Sequence, residues 1–184
     1  FLDLKNAICK KFKRDNNLDY QTDQIVVSTG AKQSIANVCM SLINKGDEVV
    51  IPTPYWVSYS AMVSLADGIP VFVHPNEGAN YKVTAEQLES AITEKTKMIM
   101  LNSPNNPSGS VFSEEEYLEF SKVLLKYPNI LVVSDEIYEH INYGSKSISF
   151  ASLPGMYERT VTVNGISKAF AMTGWRIGYL GAPK

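Results

Sequence analysis

The sequence predicts an α/β domain of three layers, with a mostly parallel sheet between helices on both faces. Three observations carry this: short β-branched runs recur along the chain, helix-length segments separate most of them, and polar residues gather just after the runs. The chain opens in an amphipathic helical pattern whose basic cluster, CKKFKRDN (Cys9 to Asn16), reads as a solvated face. IVVS (Ile25–Ser28) is the first strand, followed by the glycine turn TGAKQS and a helix over Ala31–Asn44. EVVIP (Glu48–Pro52) leads to a helix over Tyr55–Ala66, and PVFVHP (Pro70–Pro75) to one over Thr84–Ile92. KMIMLNS (Lys97–Ser103) precedes a helix over Ser113–Lys126, where Ser113 and Glu116 are spaced as a capping box. ILVVSD (Ile130–Asp135), RTVTVN (Arg159–Asn164) and IGYLGA (Ile177–Ala182) complete seven strands.

The 184 residues are 45% hydrophobic with both charge signs interspersed, enough for one good core. No linker, repeat or low-complexity tract divides them, so residues 1–184 read as one domain. A formal charge of −2 argues against a nucleic-acid surface, which needs a basic excess to neutralise phosphates. No apolar run is long enough for a bilayer-spanning helix. Cys9 and Cys39 lack metal-ligand or disulfide spacing, which suits reduced thiols in a cytoplasmic protein, and no metal site is expected. The sequence starts at Phe1 inside a helical pattern and reads as a piece of a longer chain.

Ligands of such sheets bind beyond the carboxyl ends of the strands. There the sequence places TGAKQS (Thr29–Ser34), SPNNPSG (Ser103–Gly109), DEIY (Asp135–Tyr138) and NGISK (Asn164–Lys168). Singly, each has an ordinary role. The glycine turn is one of many βα turns, Asp135 could cap the following segment, Trp56 could be a core aromatic and Asn106 a turn residue. Lys168 is the odd member, because a lysine ending a buried strand beside Phe170 and Ala171 must either reach outward or work. Together the set meets the needs of pyridoxal phosphate: a lysine for a Schiff base, a carboxylate for the ring nitrogen, donors for the phenolic oxygen, an aromatic wall and an anion site. Lys168, Asp135, Asn106 with Tyr138, Trp56, and the Gly30–Gln33 turn with Arg176 supply these in turn.

The motifs SPNNPSG, SDEIYEH and SKAFAMTGWRIGY closely resemble those of fold-type I pyridoxal-phosphate enzymes, in particular class I aminotransferases of the bacterial aspartate-aminotransferase subgroup, and the resemblance spans the whole chain. It implies that Lys168 is the Schiff-base lysine and proton shuttle, and that Asp135 pairs with the pyridinium nitrogen. Asn106 and Tyr138 would bind the phenolate oxygen, and Trp56 would stack on the ring and, like Asn106, line the substrate site. Gly30, Ala31, Lys32 and Arg176 would hold the phosphate. One departure is Gly165, where many relatives place a phosphate-binding serine; Ser167 is no obvious substitute, and both are left out of the site.

The resemblance further implies an N-terminal segment and a C-terminal small domain outside these residues, the latter holding the arginine for the substrate α-carboxylate. It implies a homodimer whose partner contributes a phosphate-binding tyrosine. These 184 residues alone are thus expected to be a poor catalyst. The activity implied is amino-group transfer between aspartate, or a related acidic or aromatic amino acid, and a 2-oxo acid. The alternatives are a fold-type I lyase or decarboxylase, or an aminotransferase-like sensor domain of a transcription regulator.

Overall fold

The structure is a computed structural model that describes residues 1–144 and 147–184. In chain order its helices and strands are α1 (Leu2–Asn16), β1 (Ile25–Ser28), α2 (Ala31–Leu42), β2 (Glu48–Pro52), α3 (Ser58–Leu65), β3 (Ile69–Val73), α4 (Ala85–Ser90), β4 (Thr96–Asn102), α5 (Glu114–Leu125), β5 (Leu131–Asp135), β6 (Thr160–Gly165) and β7 (Gly178–Gly181). All seven strands join one sheet in the order β1-β7-β6-β5-β4-β2-β3. Neighbours pair in parallel, except that β7 runs antiparallel to both β1 and β6.

The central strands are apolar on both faces because both are covered. On one face α2 and α3 pack Ile35, Cys39 and Val63 against Val49, Ile51, Met98 and Val163. On the other, α4 and α5 bury Leu88, Tyr117, Phe120 and Leu124 against Val50, Ile99, Leu101 and Val132. A third cluster seats α1 through Ile8 and Phe12 on Leu18, Tyr20, Ile25 and Tyr179. The α/β/α layering is the predicted one.

Local chemistry sets the helix limits. Ser113 caps α5, accepting from the Glu116 N–H at 3.2 Å while its own N–H donates to Glu116 Oε2 at 2.7 Å. Thr84 and Gln87 do the same for α4. The third helix is shorter than predicted: Ser58–Leu65 replaces Tyr55–Ala66, since Pro54, Tyr55 and Trp56 form the turn that follows β2. One expectation needs correction. Lys10, Lys13 and Arg14 lie on the outer side, but Lys11 and Asn16 of the same cluster turn inward, where Lys11 is ion-paired to the buried Glu139. Charge alone gave the wrong face because Lys11 follows the buried Ile8 by three residues and so shares its side of the helix, toward the sheet.

Candidate active site

The carboxyl ends of β1, β4, β5 and β6 point to one rim of the sheet, and a cleft of about 200 Å³ opens there. Gly30, Ala31, Lys32, Trp56, Asn106, Asp135, Tyr138, Lys168 and Arg176, all singled out from sequence, line this one cleft.

Asp135 ends β5 and is only 4% exposed. Tyr59 donates to its Oδ2 at 2.5 Å and the Ile137 N–H to Oδ1 at 3.3 Å. Burial pushes the Asp135 carboxyl up to about 6, with these two donors opposing. Burial and the carboxylate beside it hold the Tyr59 phenol well above its ordinary value, so Tyr59 acts as the donor. Asn102, at the end of β4, ties the rim together: its Nδ2 donates to the Asp135 carbonyl at 2.9 Å and its Oδ1 accepts the Asn106 N–H at 2.7 Å. That leaves the Asn106 amide next to the Tyr138 hydroxyl, 3.4 Å away. The Lys168 ammonium stands 5.7 Å from the Tyr138 ring centroid on the cleft wall.

Gly30 forms the turn between β1 and α2 with φ of 96°, a region that favours glycine. A Cβ there would collide with an Arg176 guanidinium nitrogen, so a side chain at this turn would displace the arginine. Arg176 Nη2 donates to the Thr29 carbonyl at 3.2 Å and Nη1 to the Thr173 carbonyl at 2.9 Å, aiming the cation at the start of α2. Gly30, the N-cap of α2, offers no capping side chain, and the helix's first N–H groups open on the cleft beside this guanidinium. Trp56 forms another wall, edge-on to Tyr59 at 5.4 Å and with the Lys32 ammonium 4.8 Å from its ring centroid.

Tyr59, Asn102, Ile137 and Thr173 also line the cleft and escaped the sequence reading. Tyr59 follows Trp56 by three residues at a helix start, which puts the two on one side, and Asn102 is the polar terminus of a strand; both signals were available. The serine set aside, Ser167, does lie on the cleft, next to Lys168. At position 165 a Cβ would lie 3.0 Å from the Ile177 carbonyl and 3.1 Å from Ile137 Cδ1, so the close approach of the segment leading into β7 favours glycine there.

A glycine turn beside an arginine, a buried carboxylate, a phenol–amide pair and a lysine converge at the rim of this sheet, a set whose chemistry suits a phosphorylated, ring-bearing, carbonyl-reactive cofactor. The model of the family "Aminotransferase class I and II" matches residues 1–184, and the chain belongs to that family. It is 54% identical to the probable aspartate/prephenate aminotransferase of Rickettsia felis over 96% of this chain and 44% of that protein. Its fold is similar to that of the aspartate aminotransferase from Rhizobium meliloti, with a TM-score of 0.96, 49% identity, and 98% of this chain and 46% of that one covered. The Thermus thermophilus aspartate aminotransferase, whose structure was determined with maleate, gives a TM-score of 0.95 at 39% identity, covering 100% of this chain and 47% of that one. The chain thus spans about half the length of the relatives it matches. The family and the fold imply pyridoxal phosphate, and the donor set above fits that group's anion, ring nitrogen, phenolic oxygen and carbonyl.

Proposed function

We propose that residues 1–184 are the central part of the large cofactor-binding domain of a pyridoxal-phosphate-dependent aminotransferase, with an N-terminal segment and a C-terminal small domain beyond them. The reaction moves an amino group between aspartate, or a related acidic or aromatic amino acid, and a 2-oxo acid. The observation that carries this is the convergence of Lys168, Asp135 and the Asn106–Tyr138 pair in one cleft. Relatives named for aspartate and prephenate, and the Thermus enzyme's pairing with maleate, a dicarboxylate, favour an acidic substrate.

Bound pyridoxal phosphate supplies a carbonyl that condenses with amines and a protonated ring that withdraws electrons from the bonds at the substrate Cα. Lys168 Nζ would be the amine that holds this carbonyl when the cofactor is bound. As a free amine, Lys168 would serve as the acid–base group for the proton of the substrate Cα. Asp135 would pair as a carboxylate with the ring nitrogen, and Tyr59 orients that carboxylate by its hydrogen bond. Asn106 and Tyr138 would donate to the phenolic oxygen; the first turn of α2, from Gly30 to Lys32, and Arg176 would take the phosphate; Trp56 would wall the ring, and Trp56 and Asn106 would border the substrate.

The substrate's α-carboxylate is met by an arginine outside these residues. Arg14 is paired with Asp15, and Arg159 donates to the Leu124 and Tyr127 carbonyls, which leaves Arg176 for the phosphate. Val57, Phe170 and Trp175 are 74%, 59% and 69% exposed, and we assign the covering of such apolar surface to a second subunit in a homodimer. Among the described residues no helix is long and apolar enough to cross a membrane, and the cytoplasm is the proposed site of action.

Incubating the complete protein with pyridoxal phosphate, a panel of amino acids and 2-oxoglutarate tests this. Oxo acid and glutamate formed in equal amounts support transfer, whereas ammonia or carbon dioxide would turn the reading to a lyase or decarboxylase. Tyr59→Phe in the same protein should weaken cofactor binding by on the order of 10-fold, because a hydrogen bond to a charged group is worth about 1.5–3 kcal/mol. A fluorescence titration with the cofactor reads this directly, and unchanged affinity would make Tyr59 only a packing residue.

A further inference from the structure

Beneath the cleft, three segments meet at one buried carboxylate to which the proposed reaction gives no task. Glu139 follows Tyr138 by one residue and Asp135 by four, and its side chain is 5% exposed. Its Oε2 accepts from Asn16 Nδ2 at 2.6 Å, and Oε1 accepts from Asn164 Nδ2 at 2.7 Å and is ion-paired to Lys11. The two amides are themselves anchored: Lys11 Nζ donates to Asn16 Oδ1 at 2.7 Å, and the Gly165 N–H donates to Asn164 Oδ1 at 2.7 Å. Asn164 lies four residues before Lys168. His140 Nε2 sits at the margin, 3.4 Å from Glu139 Oε1 and 3.6 Å from Asp15 Oδ2.

Docking of α1 does not rest on this ion pair alone. Ile8 and Phe12 already seat the helix on Tyr20, Ile25 and Tyr179. A buried pair gains little over apolar side chains of equal volume, since desolvation offsets the attraction. What it adds is direction. Bonds from fixed amides and an ammonium to both oxygens of one carboxylate hold three backbone segments in one mutual arrangement, and a shift of any one breaks charge-assisted bonds.

We propose that Glu139, with Lys11, Asn16 and Asn164, is a positioning network that sets the turn carrying Asp135 and Tyr138 relative to the segment carrying Lys168. This rests on the functional reading above. α1 then contributes to the chemistry without lining the cleft.

The test uses the complete protein loaded with pyridoxal phosphate, and compares wild type, Glu139→Gln and the double variant Lys11→Met/Glu139→Gln. Four quantities are measured: kcat, KM for the amino acid, the melting temperature, and the pH midpoint of the bound cofactor's absorbance, which reports on the placement of Asp135 and Tyr138. Glu139→Gln is expected to lower kcat on the order of 10-fold and to move the midpoint, with KM within about twofold, because small misplacements cost rate steeply. In the double variant the unpaired buried ammonium is gone and the melting temperature recovers, while kcat and the midpoint stay displaced. Recovery of all three together would show that the network only stabilises the fold and would overturn the proposal. So would a Glu139→Gln protein with wild-type rate and midpoint. If Glu139→Gln is too unstable to assay, the double variant decides alone. Wild-type protein that binds no cofactor would instead overturn the functional reading, and this assignment with it.

Discussion

Lys168→Ala in the complete protein is expected to lower transamination by on the order of 10⁴-fold or more, the upper range for a positioned general acid–base group, because the same nitrogen also anchors the cofactor. Two readouts separate these tasks. Borohydride reduction of the loaded wild-type protein should fix the pyridoxyl group on the peptide containing Lys168, and the variant should take up no label there. Lys32 is the competing candidate, being the other lysine on the cleft among the described residues. Its ammonium lies over Trp56 at 4.8 Å, beside the start of α2, where the phosphate is assigned, whereas Lys168 faces Tyr138 on the wall where the phenolic oxygen would lie. A label found on Lys32, or a variant retaining wild-type turnover, would remove Lys168 from its role. Added small primary amines should restore part of the lost rate, since the proton they carry does not need the Lys168 side chain to be covalently tethered.

The sheet was legible because its central strands are buried on both faces and therefore read as continuous apolar runs; Glu48–Pro52 coincides with the observed strand residue for residue, and so does Ile25–Ser28 at the sheet's edge, which its β-branched residues mark. The cleft residues were legible as a set because all but Arg176, which precedes β7, stand at or follow the end of a strand, where backbone polarity leaves the sheet and side chains can converge. Features set by neighbours distant in sequence were not legible. The Tyr59–Asp135 contact joins residues 76 apart, and the Asn16–Glu139 contact residues 123 apart; no local pattern announces which tyrosine or asparagine will meet which carboxylate. Lys11 shows the same limit from the other side. A lysine among Lys10, Lys13 and Arg14 carries no mark of burial, and only the position of α1 on the sheet reveals that its charge has an internal partner. Gly165 is a third case: the reason for glycine is the nearness of the Ile177 carbonyl on a segment twelve residues on, which spacing does not disclose.

Asp135→Asn separates charge from shape at the cleft, with two expected results of opposite sign. In the loaded enzyme it should lower kcat by on the order of 10²–10³-fold, as loss of one preorganised electrostatic contact does, because a neutral amide does not hold a proton on the ring nitrogen. In the cofactor-free protein the same change should stabilise the fold at neutral pH. Burial raises the Asp135 carboxyl to about 6 from an ordinary value of 3.8, so between these values the folded protein binds a proton that the unfolded chain has released. Raising the pH through this window therefore favours unfolding: the advantage of the neutral carboxyl is complete below about 3.8 and is lost as the pH passes about 6. The loss is about 3 kcal/mol. The amide that replaces the carboxyl in the variant has no such proton to lose. Glu136, pushed up to about 7 by burial and by the charge of Glu139, slopes the same way in both proteins and cancels from the comparison. Urea midpoints of the two cofactor-free proteins should therefore diverge between about pH 4 and pH 7, the variant becoming relatively more stable as the pH rises. Parallel curves would mean that Asp135 is already ionised at little cost when the cleft is empty, and near-wild-type turnover in the loaded variant would reduce Asp135 to a cap on the turn that follows β5. Divergent stability together with lost turnover would locate the cost of a buried carboxylate in the empty cleft and its use at the cationic ring of the bound cofactor.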